Sequence, residues 1–327
     1  MRDESSFVFS GPFKDVIPAY IQHKHAIGYK VAASELYRLR ELDRFFQERG
    51  VTDPVITKAM YDDWTALREG QRPVMVTRRQ ICIRGLGKFL RGSGYKNIYT
   101  GEDDKRSFQS DFIPYIFSKE EIDRMFQAMK KKCQEYPTYL NHSFRMLMSL
   151  YYCCGLRKSE AQQLCVRDID FRSGKITILR SKGDVSRIVV ASGTLLDELQ
   201  DYNESYCSES LPTDPFVKSS TGGLFSTGTL YDAFHALLKE AGIPKRTDGR
   251  VQRLHDIRHT FCVHTLEQMQ EKGFDLYTSL PLLCAYLGHK HVKETEYYLH
   301  FVEEYHGSVL DKTAVCSPFP YEEGSES

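Results

Sequence analysis

Residues 254–261 read Leu-His-Asp-Ile-Arg-His-Thr-Phe and place two histidines and an arginine in a region, from about 229 to 305, that is otherwise predicted to be mostly helical. On a helix, His255 and Arg258 lie about one turn apart and share a face. Such a pair could be an ordinary surface pair. It could also belong to a reactive site, and the rest of the sequence has to decide between the two.

Three further stretches carry polar residues that a core does not require. Residues 154–161, Cys-Gly-Leu-Arg-Lys-Ser-Glu-Ala, follow a predicted apolar helix. Residues 181–184, Ser-Lys-Gly-Asp, form a predicted hairpin turn between two β-branched runs. Residues 286–291, Tyr-Leu-Gly-His-Lys-His, are followed by Tyr298, nine positions after His289.

Each of these stretches also has an ordinary explanation when it is taken singly. Arg157 could cap the C-terminus of the preceding helix, where a cation suits the helix dipole. Lys182, followed by Gly183, could simply be part of a good hairpin turn. Tyr298 could be a core or interface residue, because the chain has 20 tyrosines. The information therefore lies in the combination and its order.

The surrounding sequence predicts a chain built mostly from helices. Apolar periodicity and helix-end signals predict four short helices in the first hundred residues, over 13–25, 35–49, 52–68 and 74–91. Ser118 and Glu121 form a capping box that opens a further helix. Another helix is predicted over 140–154, and two strands over 176–179 and 185–191 flank the hairpin turn.

The distribution of charge predicts a polyanion-binding surface in the N-terminal block. The chain as a whole has 44 basic and 44 acidic residues, but residues 11–100 carry a net charge of +7 and residues 301–327 a net charge of −5. A basic block of this kind attracts a polyanion locally. A solvated helix face would explain the same charges. The candidate DNA-binding residues lie on the fourth helix and are Arg78, Arg79, Arg84, Lys88 and Arg91.

Taken together and in order, these stretches resemble the tyrosine recombinase family, the lambda-integrase-like and Xer-like site-specific DNA recombinases. The motifs are Arg-x-x-Glu after Gly-Leu, Lys-Gly in a hairpin, His-x-x-Arg-His, then Leu-Gly-His and a tyrosine nine positions later. The resemblance covers the whole chain. It implies a mainly α fold with a small antiparallel β-sheet, arranged as a two-domain DNA clamp. A helical core-binding domain would span 11–100, a linker 101–111, the catalytic domain 112–305, and a tail that could dock on a neighbouring protomer 306–327.

The resemblance implies a set of residues that hold the scissile phosphate. Arg157 and Arg258 match the two arginines that clamp its non-bridging oxygens, where charge develops in a pentacoordinate transition state. A guanidinium can bind these oxygens through two parallel hydrogen bonds, which a lysine cannot do. His289 matches the second histidine, which donates a hydrogen bond to the phosphate. Glu160 matches a supporting carboxylate that orients its neighbours.

The remaining implied residues move protons and form the covalent bond. Tyr298 matches the nucleophile, and because the pKa of a phenol is about 10, it needs a proton acceptor and a cationic pocket. His255 matches the acid/base position, and Lys182 matches the general acid for the leaving 5′-oxygen. The product would be a 3′-phosphotyrosine linkage and a free 5′-hydroxyl, and religation would need no cofactor. The sequence has no Gly-x-x-x-x-Gly-Lys-Ser/Thr loop and no His-Glu-x-x-His motif, so we expect no metal.

Two details around the motifs remain open at this point. Tyr297 and Tyr298 are adjacent and point about 100° apart on a helix, so only one can face the phosphate, and the spacing from His289 favours Tyr298. We interpret His291 and His300 as local polar contacts, although either could be taken for a metal ligand. Thirty-one positions separate Arg258 from His289, more than in compact family members.

The composition narrows the class of protein and its location. Hydrophobic residues make up 41% and charged residues 27%, an ordinary globular balance, and no apolar run approaches the roughly 18 residues of a membrane span. The N-terminus lacks a signal-peptide pattern. The nine scattered cysteines contain no Cys-x-x-Cys and suggest a reducing compartment. We expect a soluble cytoplasmic protein associated with the nucleoid.

These observations predict a site-specific recombinase or integrase, acting for a mobile element. Its partners would be double-stranded DNA, further copies of itself in a tetramer on two DNA sites, and possible accessory factors or other recombinases, without a membrane. One alternative is a catalytically idle DNA-binding paralogue, against which the complete set of six catalytic positions argues. A relaxing topoisomerase would use the same chemistry, but the two-domain length and motif spacing favour recombination.

Overall fold

The structure is a computed structural model that describes residues 7–102, 104, 113–179, 186–299, 301 and 302. The chain forms two compact units, Met1–Phe112 and Ile113–Ser327. Most of the predicted linker, the hairpin turn with Lys182, His300 and the tail over 306–327 lie outside the described residues.

The first unit consists of the four helices that the sequence predicts. Their bounds are α1 Val16–Ala26, α2 Ala33–Gln47, α3 Lys58–Thr65 and α4 Val74–Gly92. The third helix begins later than predicted, because Thr57 caps it through the backbone N–H of Met60 and the preceding Ile56 pairs with Ile98 in an isolated bridge.

Aromatic and aliphatic residues from all four helices fill the core of this unit. Trp64 and Phe46 are fully buried at its centre. The carboxylate of Asp43, 1% exposed, accepts hydrogen bonds from the backbone N–H groups of Ser10, Gly11 and Phe13 at 2.7–3.0 Å. This carboxylate satisfies backbone donors that would otherwise be buried without partners, and it ties the segment before α1 to α2.

The second unit contains the remaining helices and a small sheet. The helices are α5 Lys119–Glu135, α6 Tyr139–Cys153, α7 Lys158–Gln163, α8 Gly193–Tyr206, α9 Thr227–Glu240, α10 Leu254–Glu271, α11 Leu276–Leu287 and α12 Lys293–Glu296. The strands are β1 Ile169–Asp170, β2 Lys175–Ile178 and β3 Arg187–Val190. They pair antiparallel in the order β1-β2-β3, with Ile176 opposite Val189. The predicted fold class, mainly α with a small antiparallel sheet, is confirmed.

Local sequence signals explain where these helices begin and end. The predicted capping box is present, since Ser118 accepts from the backbone N–H of Glu121, whose side chain accepts from that of Ser118. The apolar helix α6 packs against α5, α8 and α10 at the centre of the unit. Within the described residues, every helix is too short or too polar to cross a bilayer.

Candidate active site

The predicted site begins at the end of α6, where the chain turns sharply into α7. Gly155 has φ +57°, and a Cβ there would come within 2.4 Å of the Phe261 ring. Only glycine therefore fits both the left-handed backbone and the close approach. The turn places Arg157 just before α7, where its backbone N–H donates to the Glu160 carboxylate at 2.8 Å and its guanidinium donates to the same carboxylate at 2.7 Å.

Arg258 projects from α10 into the interior of the unit and is 3% exposed. Its Nη1 donates to the carbonyl of Gly155 at 2.5 Å, and its Nη2 lies 3.1 Å from Nε2 of His289. Burial, followed by the nearby charge of Arg157, lowers the pKa of Arg258 to about 10, although Cys262 and Glu160 act in the opposite direction. The side chain is still a cation at pH 7, and its burial rules out an ordinary surface pair with His255.

The C-terminus of α11 collects three arginines. The carbonyl of Tyr286 accepts from Nε of Arg187 at 2.7 Å, that of Leu287 from Arg258 at 2.8 Å, and that of Gly288 from Arg157 at 2.9 Å. The last carbonyls of a helix have no partner within it, and the helix dipole makes this end negative. The helix end therefore holds the guanidiniums together with only a partial negative charge.

Arg187 is a residue of this site that sequence reasoning missed. Its Nη1 and Nη2 donate to the two oxygens of Glu160 at 3.0 and 2.8 Å, and both side chains are almost completely buried. Arg258 lies 3.8 Å from the same carboxylate. One signal was available: Arg187 falls in phase with the inward-facing Val189 on a two-faced strand, an unusual place for a charge. One carboxylate thus faces three guanidiniums, which leaves an excess of positive charge.

His289 lies beside the arginines, as the motif order implied, but both of its ring nitrogens already have hydrogen-bond partners. A guanidinium only donates hydrogen bonds, so Nε2 of His289 accepts from Arg258, and Nδ1 donates to Oγ1 of Thr295 at 2.9 Å. Burial and the charge of Arg258 lower the pKa of His289 to about 3. For Nε2 of His289 to donate a hydrogen bond to a phosphate, its contact with Arg258 has to be replaced by a contact with that phosphate.

The two adjacent tyrosines lie in different environments. Tyr298 is 4% exposed and packs in an apolar cluster, whereas Tyr297 is 40% exposed. The hydroxyl of Tyr298 lies 2.8 Å from Nδ1 of His259. Burial raises the pKa of Tyr298 well above 10, and the charge of Arg258 acts in the opposite direction. The phenol is therefore protonated and lies within electrostatic reach of Arg258.

His255, the histidine implied for the acid/base role, is exposed on α10. Its ring contacts the His259 ring edge-on, with the ring centroids 4.8 Å apart. His255 thus contacts His259, and His259 in turn contacts the hydroxyl of Tyr298. Lys182 lies outside the described residues, as does His300. In the described part of the chain, no group of three or more His, Cys, Asp or Glu side chains is placed to hold a metal ion.

The basic residues predicted to bind DNA in the first unit fall into two groups. Arg78 and Lys88 are exposed on α4. Arg91 is also exposed, and its guanidinium donates to Glu102 at 2.7 Å. These three residues occupy the solvent side of the helix.

The other two arginines hold the fold of the first unit. Arg79 is 2% exposed, and its Nη2 donates to the carbonyl of Ala66 at 2.6 Å. Its prediction as a phosphate contact is at odds with this burial, because α4 turns that position towards the core. Arg84 is partly buried and donates to the carbonyl of Gly101 at 2.9 Å.

Comparison with known proteins decides the family. The sequence profile of the phage integrase family matches residues 116–304, more than half of the chain and all the described residues of the site. The chain belongs to the phage integrase family. The predicted family is thereby confirmed, and the chain is a tyrosine-type site-specific recombinase.

Individual members of the family show the extent of the likeness. A Sinorhizobium fredii protein named "Putative integrase/recombinase y4rB" is 28% identical over 294 residues, which cover 88% of this chain and 92% of that protein. A tyrosine recombinase of Pseudothermotoga lettingae is 29% identical over 237 residues, covering 72% of this chain and 74% of that one.

Two solved structures share the fold. The XerH site-specific recombinase bound to its palindromic difH substrate has a TM-score of 0.63 and 18% identity, covering 93% of this chain and 83% of that chain. A lambda integrase tetramer bound to a Holliday junction has a TM-score of 0.55 and 16% identity, covering 86% and 76%.

Proposed function

We propose that this phage integrase family member cuts and rejoins DNA strands through a 3′-phosphotyrosine intermediate formed by Tyr298, and that it does so for a mobile element. The observation that carries the proposal is the convergence of Arg157 and Arg258 on Glu160, with His259, the residue after Arg258, in contact with the buried phenol of Tyr298. An excess of buried positive charge beside a nucleophile suits a reaction in which negative charge builds on a phosphate.

The arginines have different tasks in this proposal. Arg157, 17% exposed at its side chain, is the more accessible of the two that were predicted to bind the phosphate. Arg258 is held by backbone carbonyls and by His289, so its position is set before DNA arrives. Such preorganisation lowers the cost of arranging charges in the transition state. Lys182 is proposed as the general acid for the leaving 5′-oxygen.

We further propose that the enzyme binds double-stranded DNA and assembles as a tetramer on two DNA sites. A lambda integrase tetramer on a Holliday junction supports this assembly by its shared fold. The exposed residues Arg78, Lys88 and Arg91 would contribute phosphate contacts, which position DNA and make binding salt-dependent. The name of the Sinorhizobium fredii relative supports an integrase role.

The test is to trap the covalent intermediate. Duplexes that the protein retains from a randomised pool supply a binding sequence, and nicked versions serve as suicide substrates. We expect an SDS-resistant protein–DNA adduct in the presence of EDTA. Tyr298→Phe should abolish this adduct and retain DNA binding, whereas Tyr297→Phe, its exposed neighbour, is the matched control and should form it. Loss of the adduct in Tyr297→Phe alone would contradict the assignment of the nucleophile. A wild-type protein that binds but never forms an adduct would indicate the idle paralogue.

A further inference from the structure

The hydroxyl of Tyr298 contacts a different histidine from the one implied for acid/base chemistry. Its oxygen lies 2.8 Å from Nδ1 of His259, on α10. His255 is one turn earlier on the same helix, exposed, with its ring against the ring of His259. The histidine that contacts the nucleophilic oxygen is therefore His259.

We propose that His259 accepts the proton of Tyr298 when the phenol attacks the DNA phosphate, an assignment that rests on the proposed role of Tyr298. As the O–H bond of Tyr298 breaks, an N–H bond forms at Nδ1 of His259. The phenol oxygen forms its bond to phosphorus while the bond from phosphorus to the 5′-oxygen breaks. That oxygen takes a proton from the general acid. On religation the 5′-hydroxyl returns its proton to the group that acted as general acid and attacks phosphorus. The bond from phosphorus to the phenol oxygen breaks, and His259 returns its proton to Tyr298.

Burial explains why a protein group rather than water takes this proton. Tyr298 is 4% exposed and packs among apolar side chains that include Phe261 and Leu299. A proton acceptor has to lie within about 2.6–3.2 Å of the proton donor, or be reached through one water. His259 already meets that distance without any rearrangement.

The charges around His259 connect its basicity to DNA binding. Burial, followed by the like charges of the neighbouring His255, Arg253, Arg258 and His289, lowers the pKa of His259 to about 3. In this state the imidazole is neutral and the proton stays on the phenol. A phosphate anion bound at the arginines would offset these charges and raise the pKa of His259. The phenol would then become reactive only with DNA in place.

The decisive variant is His259→Asn, because the amide oxygen of asparagine can accept a hydrogen bond near the position of Nδ1 but cannot take a proton at neutral pH. The matched control is His264→Asn, which removes another buried tyrosine–histidine contact from α10, that of Tyr152 with Nδ1 at 3.0 Å. The full-length protein and a nicked duplex selected from a randomised pool are used throughout, and the rate of adduct formation is measured from pH 6 to 9.

We expect His259→Asn to bind DNA like the wild type and to form the adduct at least about 10²-fold more slowly at pH 7. Its rate should rise steadily with pH, because the phenol then has to ionise without a base. His264→Asn should keep the wild-type rate and profile. If the asparagine variant fails to bind DNA, His259→Gln serves as the second variant. We expect it to show the same loss of rate.

One result would overturn the assignment alone, namely an unchanged rate and pH profile in His259→Asn. If His255→Asn is then slow and pH-dependent, the proton belongs on His255. The absence of any adduct in the wild-type protein would instead overturn the proposed function, and this assignment with it.

Discussion

Glu160 and Arg187 form a buried, two-pronged ion pair, with hydrogen bonds of 3.0 and 2.8 Å between the guanidinium and both carboxylate oxygens. The pair joins the first turn of α7 to the start of β3. Because the same carboxylate also binds Arg157, the geometry of the predicted phosphate clamp depends on a residue that no motif contains.

Removal of the carboxylate at this point should destabilise the protein strongly. In Glu160→Gln, buried guanidiniums lose their counter-charge, and breaking a buried pair costs about 3–5 kcal/mol. Glu48→Gln, which removes an exposed partner of Arg44, should cost less than about 0.5 kcal/mol. Urea unfolding of both variants measures the difference. Similar small losses in the two would show that the buried pair does not hold the fold.

Replacement of Arg157 by lysine should separate catalysis from binding. The charge stays, but the bidentate fork is lost, and loss of one such donor typically costs about 10²–10³ in rate. We expect Arg157→Lys to reduce adduct formation by this factor with little change in DNA affinity. Arg167→Lys, at an exposed position in the same unit, should cleave normally. Near-normal cleavage by Arg157→Lys would assign Arg157 a structural role.

The turn at Gly155 should tolerate no side chain. Gly155→Ala combines a left-handed backbone with a contact of 2.4 Å to Phe261, so strain and overpacking add to about 2–4 kcal/mol. Gly273 also follows a helix with positive φ but has open space around it, and Gly273→Ala should cost about 1 kcal/mol. Thermal unfolding of the two variants gives the comparison. Equal losses would mean that the Phe261 ring moves aside freely.

Acid should destabilise the second unit through its buried histidines. Burial lowers the pKa of His264 to about 4, so between about pH 6.5 and 4 the unfolded chain binds a proton at this position that the folded chain does not. Stability contributed by this difference is complete above pH 6.5 and is lost as pH falls, by up to about 1.4 kcal/mol per pH unit. His264→Asn should reduce the slope of unfolding free energy against pH over this range. An unchanged slope would show that the pKa of His264 is the same in the folded and unfolded states.

The tail over 306–327 should matter for assembly rather than for binding to a single site. It carries the apolar residues Val309, Leu310 and Phe319 among several acids, a composition suited to docking on another copy of the chain. Truncation after His306 should leave binding to one site intact and should sharply reduce pairing of two sites and strand exchange. Mobility-shift and recombination assays measure the two separately, and full recombination by the truncated protein would contradict the docking role.

Much of the architecture and most of the site follow from the sequence alone, because the relevant signals are local. The capping box at Ser118, the helix end at Gly155 and the apolar periodicity of α6 each involve residues within a few positions of one another. Helix and turn preferences act over this range. Arg157 and Arg258 became candidates through short ordered motifs that resemble those of the family, and the structure places both at Glu160.

What only the tertiary structure decided is which of these side chains are partners. Arg187 reaches Glu160 across 27 positions, and Tyr298 reaches His259 across 39. Arg79 reads as one cation in a basic stretch, yet it is buried with its guanidinium on a backbone carbonyl. Burial of a charge depends on whether distant elements supply hydrogen-bond partners at the same point in space. That requirement is met by packing among helices and strands, and no spacing along the chain encodes it.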